Sequence, residues 1–378
     1  MSLIKNPLLL AISFITCYGL LIVGDWSILR VMKLELNKNI QFIEATKIIE
    51  IRAQEEDLPQ REQAVLDGLS PVIYPDLMDT LDLKYPLIAG LPLTNTYYCN
   101  EGYGLIRYRS DRFGFRNEDT LWDEKFKHLM IGDSFVHGAC VSDESTLPKR
   151  LSEMLKLNVI NLGMGSNNPS HYYTYAHLFI PKFKPRMVYL NFYPNDLGMK
   201  KKSIIEKKYV DQKINIFSKT KAAFYEGNDF KNEGDRAMNH LRKPDAFKKD
   251  GSILNRSYKA VIRHSKIPGI RSLFSQTSEK NFYPTKRAIT EILELCIRFN
   301  CKLMVSFIPN SHFYNQDYRA ENYGNQLAEL TNRLEIPFVD GREFIDREKN
   351  SPDFAIKGPH LSPIGYKKMA KAIAHLMQ

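Results

Sequence analysis

Four short stretches of this chain carry residue types that could together perform acyl transfer. "IGDSFVHG" (131–138) ends an apolar run in Gly-Asp-Ser. A serine leaving a strand at that point has its hydroxyl exposed and close to backbone N–H groups, the placement a nucleophile requires; the plainer role for Ser134 is a helix N-cap. "NLGMGSNNP" (161–169) follows the next apolar run. Its glycines allow a sharp turn that points the N–H groups of Gly165 and Ser166 into a crevice, half of an oxyanion hole. "FYPNDLG" (192–198) offers the Asn195 carboxamide as the other half, where a Pro-Asn-Asp run otherwise reads as an Asx turn. "KGPHLSPIGYKKMA" (357–370) sets His360 at a helix entrance, where it is either a general base or an inert histidine. Each stretch is ordinary alone. Taken in order, they supply nucleophile, oxyanion donors and base.

The elements that must position these residues are legible from residue 128 onward. Apolar runs at 128–134, 157–163, 186–193, 301–309 and 336–341 read as strands. Segments with helical spacing at 144–155, 170–183, 284–299 and 323–334, and a helical tail from Ser362, alternate with them. This pattern predicts a three-layer α/β/α domain around a five-stranded parallel sheet, flavodoxin-like in plan, with helices on both faces. Sites in such sheets form beyond the carboxyl ends of the strands. Ser134, Gly165 and Asn195 all fall at strand ends, and His360 falls in the loop before the closing helix.

Strand-end "GDSF", the Gly-rich turn, "ND" and a late "H" resemble the four blocks of SGNH (GDSL-type) hydrolases over residues 128–378, outside the basic stretch described below. The upstream "CNEGYGLIRYRSDRFGFRNED" and "GDSFVHGACV" further resemble bacterial membrane-anchored SGNH-like proteins of surface-polysaccharide biosynthesis. The resemblance implies Ser134 as nucleophile and N–H donor, Asn195 as side-chain oxyanion donor and His360 as base. It implies an ester hydrolase or O-acyltransferase without a cofactor or metal, acting on an acylated cell-surface glycan or a small ester. The family's oxyanion glycine falls on Ser166, which keeps its N–H, and the glycine usually two residues before the Asn is Tyr193. Family members also carry an Asp two or three residues before the His; those positions here are Gly358 and Lys357. Three alternatives follow: a displaced acid such as Asp353, a backbone carbonyl in its place, or a degenerate, glycan-binding scaffold without activity. A lipid esterase is a further alternative.

Composition places the chain among globular proteins: 378 residues, 43% hydrophobic and 25% charged. The exception is "PLLLAISFITCYGLLIVG" (7–24), a charge-free run about long enough to span a bilayer as a helix. It reads as an uncleaved single-pass anchor in a bacterial cytoplasmic membrane, with the catalytic domain on the outer side, although flanking charges leave the orientation unsettled. The expected organisation is therefore an anchor (1–34), a stalk helix and irregular region (35–127), and a catalytic domain (128–378). The net charge of +10 comes from one stretch. Residues 200–280 carry 20 Lys/Arg against 9 Asp/Glu and are expected to cap the crevice. An anionic glycan or lipid headgroup suits such a segment, or it is simply a solvated surface; the stretch contains no nucleic-acid-binding module. Apart from Cys17 in the apolar run, Cys99, Cys140, Cys296 and Cys301 could form two disulfides or stay as buried thiols, and their spacing suits no zinc site.

Overall fold

The computed structural model describes residues 69–71, 87–124, 128–197, 202–203, 205–211, 234–236, 279–311, 318–348 and 350–377. The anchor expected at 7–24 and the stalk at 35–60 lie outside these residues. So does nearly all of the basic segment. Among the described residues no helix is long and apolar enough to cross a membrane.

Three short strands come first: β1 (Leu69–Pro71), β2 (Asn95–Tyr97) and β3 (Arg107–Arg109). β1 pairs parallel to β2, and β2 and β3 form an antiparallel hairpin with Thr96 opposite Tyr108. The irregular region upstream of residue 128 thus contains a hairpin.

The main sheet contains β4 (His128–Gly132), β5 (Val159–Gly163), β6 (Met187–Phe192), β7 (Lys302–Phe307) and β8 (Phe338–Asp340). All neighbouring pairs are parallel, in the order β5-β4-β6-β7-β8. Helices alternate with them: α1 (Ser134–His137), α2 (Leu147–Leu155), α3 (Pro169–Phe183), α4 (Glu279–Phe299), α5 (Tyr318–Arg333) and α6 (Pro363–His375). The expected five-stranded parallel sheet is present, with every strand end within two residues of the predicted run.

Side-chain alternation along the strands produces the three layers. Leu129, Ile131, Val188, Leu190 and Val305 join Tyr172, Phe179, Ile289 and Leu327 of α3, α4 and α5 in one core. Met130, Met187, Tyr189 and Met304 point the other way, onto Leu147 and Leu151 of α2 and Tyr366, Met369 and Ala370 of α6. Strands buried on both faces read as unbroken apolar runs, which is why the sequence located them. The first core also takes in Ile88, Phe113, Phe115 and Trp122 from upstream. The described residues 87–122 are therefore part of the same folded body as the sheet.

The described start of the basic segment is tied to the sheet's helices. Buried Glu206 pairs with Arg287 of α4 (2.8 Å) and Lys202 (3.3 Å) and accepts a hydrogen bond from Ser170 of α3. Both cysteine pairs are disulfides: Cys99–Cys140 and Cys296–Cys301. The second joins the end of α4 to the residue before β7.

Candidate active site

Ser134 follows β4 directly and is the first residue of α1. Asp133 caps this short helix by accepting from the Phe135 N–H (3.0 Å), and Gly138 ends it in a left-handed conformation at φ 80°. The Ser134 N–H is a first-turn donor with no acceptor inside its own helix. The fit of α1 against β5 depends on Gly163, where a Cβ would lie 2.3 Å from the His137 nitrogen. Ser134 is half-buried at the carboxyl end of the sheet.

His360 reaches Ser134 from the loop before α6. Ser362 caps that helix, accepting from the N–H groups of Ile364 and Gly365 (both 3.1 Å), and Pro363 stands at its first position. The loop is pinned by a bridge between Phe354 and Leu361 and by the Ala355 N–H donating to the His360 carbonyl (2.8 Å). These constraints hold His360 Nε2 3.0 Å from Ser134 Oγ, across 226 residues of sequence.

The orienting acid is Glu101, which sequence reasoning missed. Its Oε1 lies 2.7 Å from His360 Nδ1, and its Oε2 accepts the His360 backbone N–H at 3.3 Å. The pair is well shielded, with side-chain exposures of 10% for Glu101 and 18% for His360. Glu101 sits at the tip of the β2–β3 hairpin. The stem closes through Tyr98 N–H to Ile106 O (2.9 Å) and Ile106 N–H to Cys99 O (3.0 Å). The Glu101 carbonyl accepts from the Lys357 N–H (3.0 Å), joining the hairpin tip to the histidine loop.

Asp353 is not that acid. It is fully buried, its carboxylate pairs with Lys368 (2.6 Å) and accepts the Asp346 N–H (2.8 Å), and it braces α6 instead. The backbone-carbonyl alternative falls as well, since Nδ1 is already engaged. Gly358 shows why no acid stands two residues before the histidine: a Cβ built there would fall 1.9 Å from the Glu101 carboxyl carbon. The Glu101 carboxylate fills the space a side chain at 358 would need. One signal in the sequence could have found it. Cys99 lies two residues before Glu101 and Cys140 six after Ser134, so that disulfide draws the two together.

The oxyanion candidates divide. Asn195 is exposed and donates one amide hydrogen to Asp133 Oδ2 (3.2 Å), which leaves its second for a ligand. Ser166 is exposed in a left-handed conformation at φ 63°. The Gly165 N–H, by contrast, donates to His137 Nδ1 at 3.2 Å and is not available to a substrate. His137 is completely buried; burial above all, with the charges of Arg116 and His360, holds it well below its usual range. Its other nitrogen meets the Tyr108 hydroxyl (2.9 Å), so Nε2 carries the hydrogen and Nδ1 accepts. His137 thus joins the hairpin to the turn that bears Ser166.

Burial lowers the pKa of His360, but the charge and hydrogen bond of Glu101, with the charge of Asp133, outweigh it and leave the imidazole raised above 6.5. Asp133 itself is raised, chiefly by burial, against the pull of the Phe135 N–H and His360. Asp196 is raised well above the ordinary carboxylate range by burial and then by Asp133; the Tyr172 hydroxyl donates to it (2.9 Å). Tyr193 is buried, its ring packed 4.2 Å from that of Phe135.

Glu101, Cys140 and His360 offer donor atoms within 4.8 Å of one another. They do not fit a metal, because the Cys140 sulfur is bonded to Cys99 and both nitrogens of His360 are engaged. A groove of about 1090 Å³ runs between residues 108–124 and α2, with Arg116, Asp143, Lys149 and Asn161 among its walls. None of the three catalytic candidates lines it.

No family model and no curated protein matches the sequence. Similar solved structures include a GDSL-like lipase from Bacteroides thetaiotaomicron, 11% identical, covering 67% of this chain and 88% of that one with a TM-score of 0.35. A catalytic mutant of an acetylxylan esterase from Geobacillus stearothermophilus is 12% identical over 66% and 93% of the two chains, with a TM-score of 0.37. A lipase/acylhydrolase from Enterococcus faecalis is 14% identical over 67% and 95%, with a TM-score of 0.35.

Proposed function

We propose that this chain is a serine ester hydrolase or O-acyltransferase acting on an acylated glycan. The observation that carries the reading is the Ser134–His360–Glu101 relay, with contacts of 3.0 and 2.7 Å. His360 Nε2 takes the proton of Ser134 as Oγ attacks the acyl carbonyl, and Glu101 holds Nδ1–H and balances the imidazolium. The N–H groups of Ser134 and Ser166 and the free amide hydrogen of Asn195 receive the oxyanion. His360 returns its proton to the departing alcohol, leaving an acyl group on Ser134. Water then releases the acid, or a sugar hydroxyl takes the acyl group in transfer. An orienting acid removes the motive for reading the chain as an inactive scaffold.

The glycan is inferred from the resemblance of "CNEGYGLIRYRSDRFGFRNED" to polysaccharide-associated proteins, and the exposed, polar Ser166 and Asn195 at the rim suit such a substrate. Placement outside a bacterial cytoplasmic membrane, anchored by 7–24, is likewise our reading; two disulfides support an oxidising compartment. The basic stretch 200–280 would face an anionic glycan or lipid.

The test uses p-nitrophenyl acetate and a fluorophosphonate probe. Wild type should hydrolyse the ester and take up the probe at Ser134, and Ser134→Ala should lose both, with a rate loss of about 10³-fold or more. Undiminished hydrolysis by Ser134→Ala would remove the assignment.

A further inference from the structure

We infer that His137 is a positioning residue of the oxyanion hole: its Nδ1 atom holds the Gly165–Ser166 turn against the helix that carries the nucleophile. The inference rests on the Ser134–His360–Glu101 reading and deepens it. α1 is a single turn, with Ser134 at its start and His137 at its end. The His137 N–H donates to the Asp133 carbonyl (2.9 Å). The helix lies directly on the end of β5, where a Cβ at Gly163 would meet the His137 nitrogen. The imidazole is therefore fixed in the same frame as the serine hydroxyl.

The turn that needs placing runs from Met164 to Asn167 and is closed by the Asn167 N–H donating to the Met164 carbonyl (3.2 Å). Its outer residues both donate to the Gly132 carbonyl, Met164 through its N–H (3.4 Å) and Asn167 through Nδ2 (3.2 Å). Two bonds to one oxygen leave the middle of the turn able to tilt. The Gly165 N–H, donating to His137 Nδ1 at 3.2 Å, is a third tie, to a different element, and it limits that tilt. Ser166 comes next, in the left-handed region at φ 63°. That conformation is strained for a residue with a Cβ and persists where its surroundings fix it.

Nδ1 accepts only while it carries no hydrogen. The hydrogen sits on Nε2, where the Tyr108 hydroxyl oxygen accepts it (2.9 Å), and the Tyr98 ring stacks on the imidazole at 4.4 Å. The hairpin thus selects the tautomer that the turn requires. The charged groups facing His137 are Arg116, from the segment before β4, and His360, from the loop before α6. Both, together with burial, disfavour a second proton, which would turn an N–H toward the Gly165 N–H. A phenylalanine at this position keeps the volume and the stack but accepts no hydrogen bond.

The experiment compares the full chain as wild type, His137→Phe and His137→Asn on p-nitrophenyl acetate. In His137→Phe, kcat should fall by about tenfold or more with KM within about threefold, because the misplaced donor serves charge that develops in the transition state. His360 is set by burial, Glu101 and Asp133, so the acid limb of kcat/KM should stay in place. His137→Asn puts Oδ1 where Nδ1 stood and leaves a cavity. It should recover kcat to within about threefold of wild type, yet unfold at lower denaturant than His137→Phe. A purely structural role ranks kcat in the order of stability, and that ranking overturns the inference. So does a kcat within about twofold of wild type in His137→Phe, or a loss with a displaced acid limb, which assigns the effect to Glu101. If His137→Asn does not fold, His137→Phe decides alone. Nitrogen-15 NMR without any substrate gives a separate reading. An Nδ1 without hydrogen and a Gly165 amide protected from exchange, in a chain that hydrolyses no ester, would sustain the tie and reject the functional reading. A hydrogen on Nδ1 rejects the positioning role whatever the activity.

Discussion

Glu101 changes what His360 can do. An imidazole shielded from water resists protonation, yet a base must hold a proton for part of the cycle, and the carboxylate at 2.7 Å reconciles the two. Replacing Glu101 by Gln keeps an acceptor for Nδ1–H and removes the charge. We expect kcat to fall by about 10²- to 10⁴-fold. The base must be neutral to act, and Glu101 raises His360 against the effect of burial, so we expect the acid limb of kcat/KM in wild type to lie higher than for an ordinary histidine. In Glu101→Gln that limb moves to lower pH, which a pH–rate profile of the two proteins would read directly.

The hairpin that carries Glu101 is held by a buried polar knot at its C-terminal side. Asp111 is fully buried and accepts four hydrogen bonds, from the N–H groups of Phe113 and Phe115 (both 2.9 Å), from Asn117 and from Trp122 Nε1 (both 2.8 Å). Burial nevertheless raises its carboxyl to about 7, more than these bonds lower it. Asp111→Asn puts an amide donor against N–H donors and should cost about 1–3 kcal/mol in denaturant unfolding. The sign of its pH dependence follows from linkage. A folded pKa above the unfolded 3.8 means that the native state holds the proton longer, so wild type loses this contribution as pH rises from about 4 to about 7. Asp111→Asn has no such loss, so its deficit should be largest near pH 4 and narrow toward pH 7. A constant or widening gap would contradict the account.

At the scale of the whole molecule, the sheet was legible and the site only partly so. Runs such as "HLMIGDS" and "RMVYLNF" are apolar on both faces because helices cover both, and that pattern survives in one dimension. Ser134, Asn195 and His360 were legible because strand ends and helix entrances are places that sequence can mark. Glu101 was not: it belongs to a three-residue-stranded hairpin whose short strands carry little periodicity, and its partner lies 259 residues away. Asp353 looked suitable by proximity in sequence, yet its carboxylate is turned to Lys368. Gly165 looked suitable by motif, yet His137 takes its N–H. The apolar run 7–24 belongs at this scale too. The full chain should sediment with membranes after carbonate extraction, and a chain starting at residue 35 should stay in the supernatant with its ester activity kept. Equal solubility of both would remove the anchor.

Gly358 has a consequence for how such a site can change over evolutionary time. A side chain at 358 and the Glu101 carboxylate claim the same volume, so an acid at 358 and the acid on the hairpin exclude each other. No chain could hold an acid at 358 together with Glu101 in its present position. Related chains with the acid on the hairpin should therefore keep glycine before Pro-His, and chains with an acid at that position should carry a hairpin relieved of that duty.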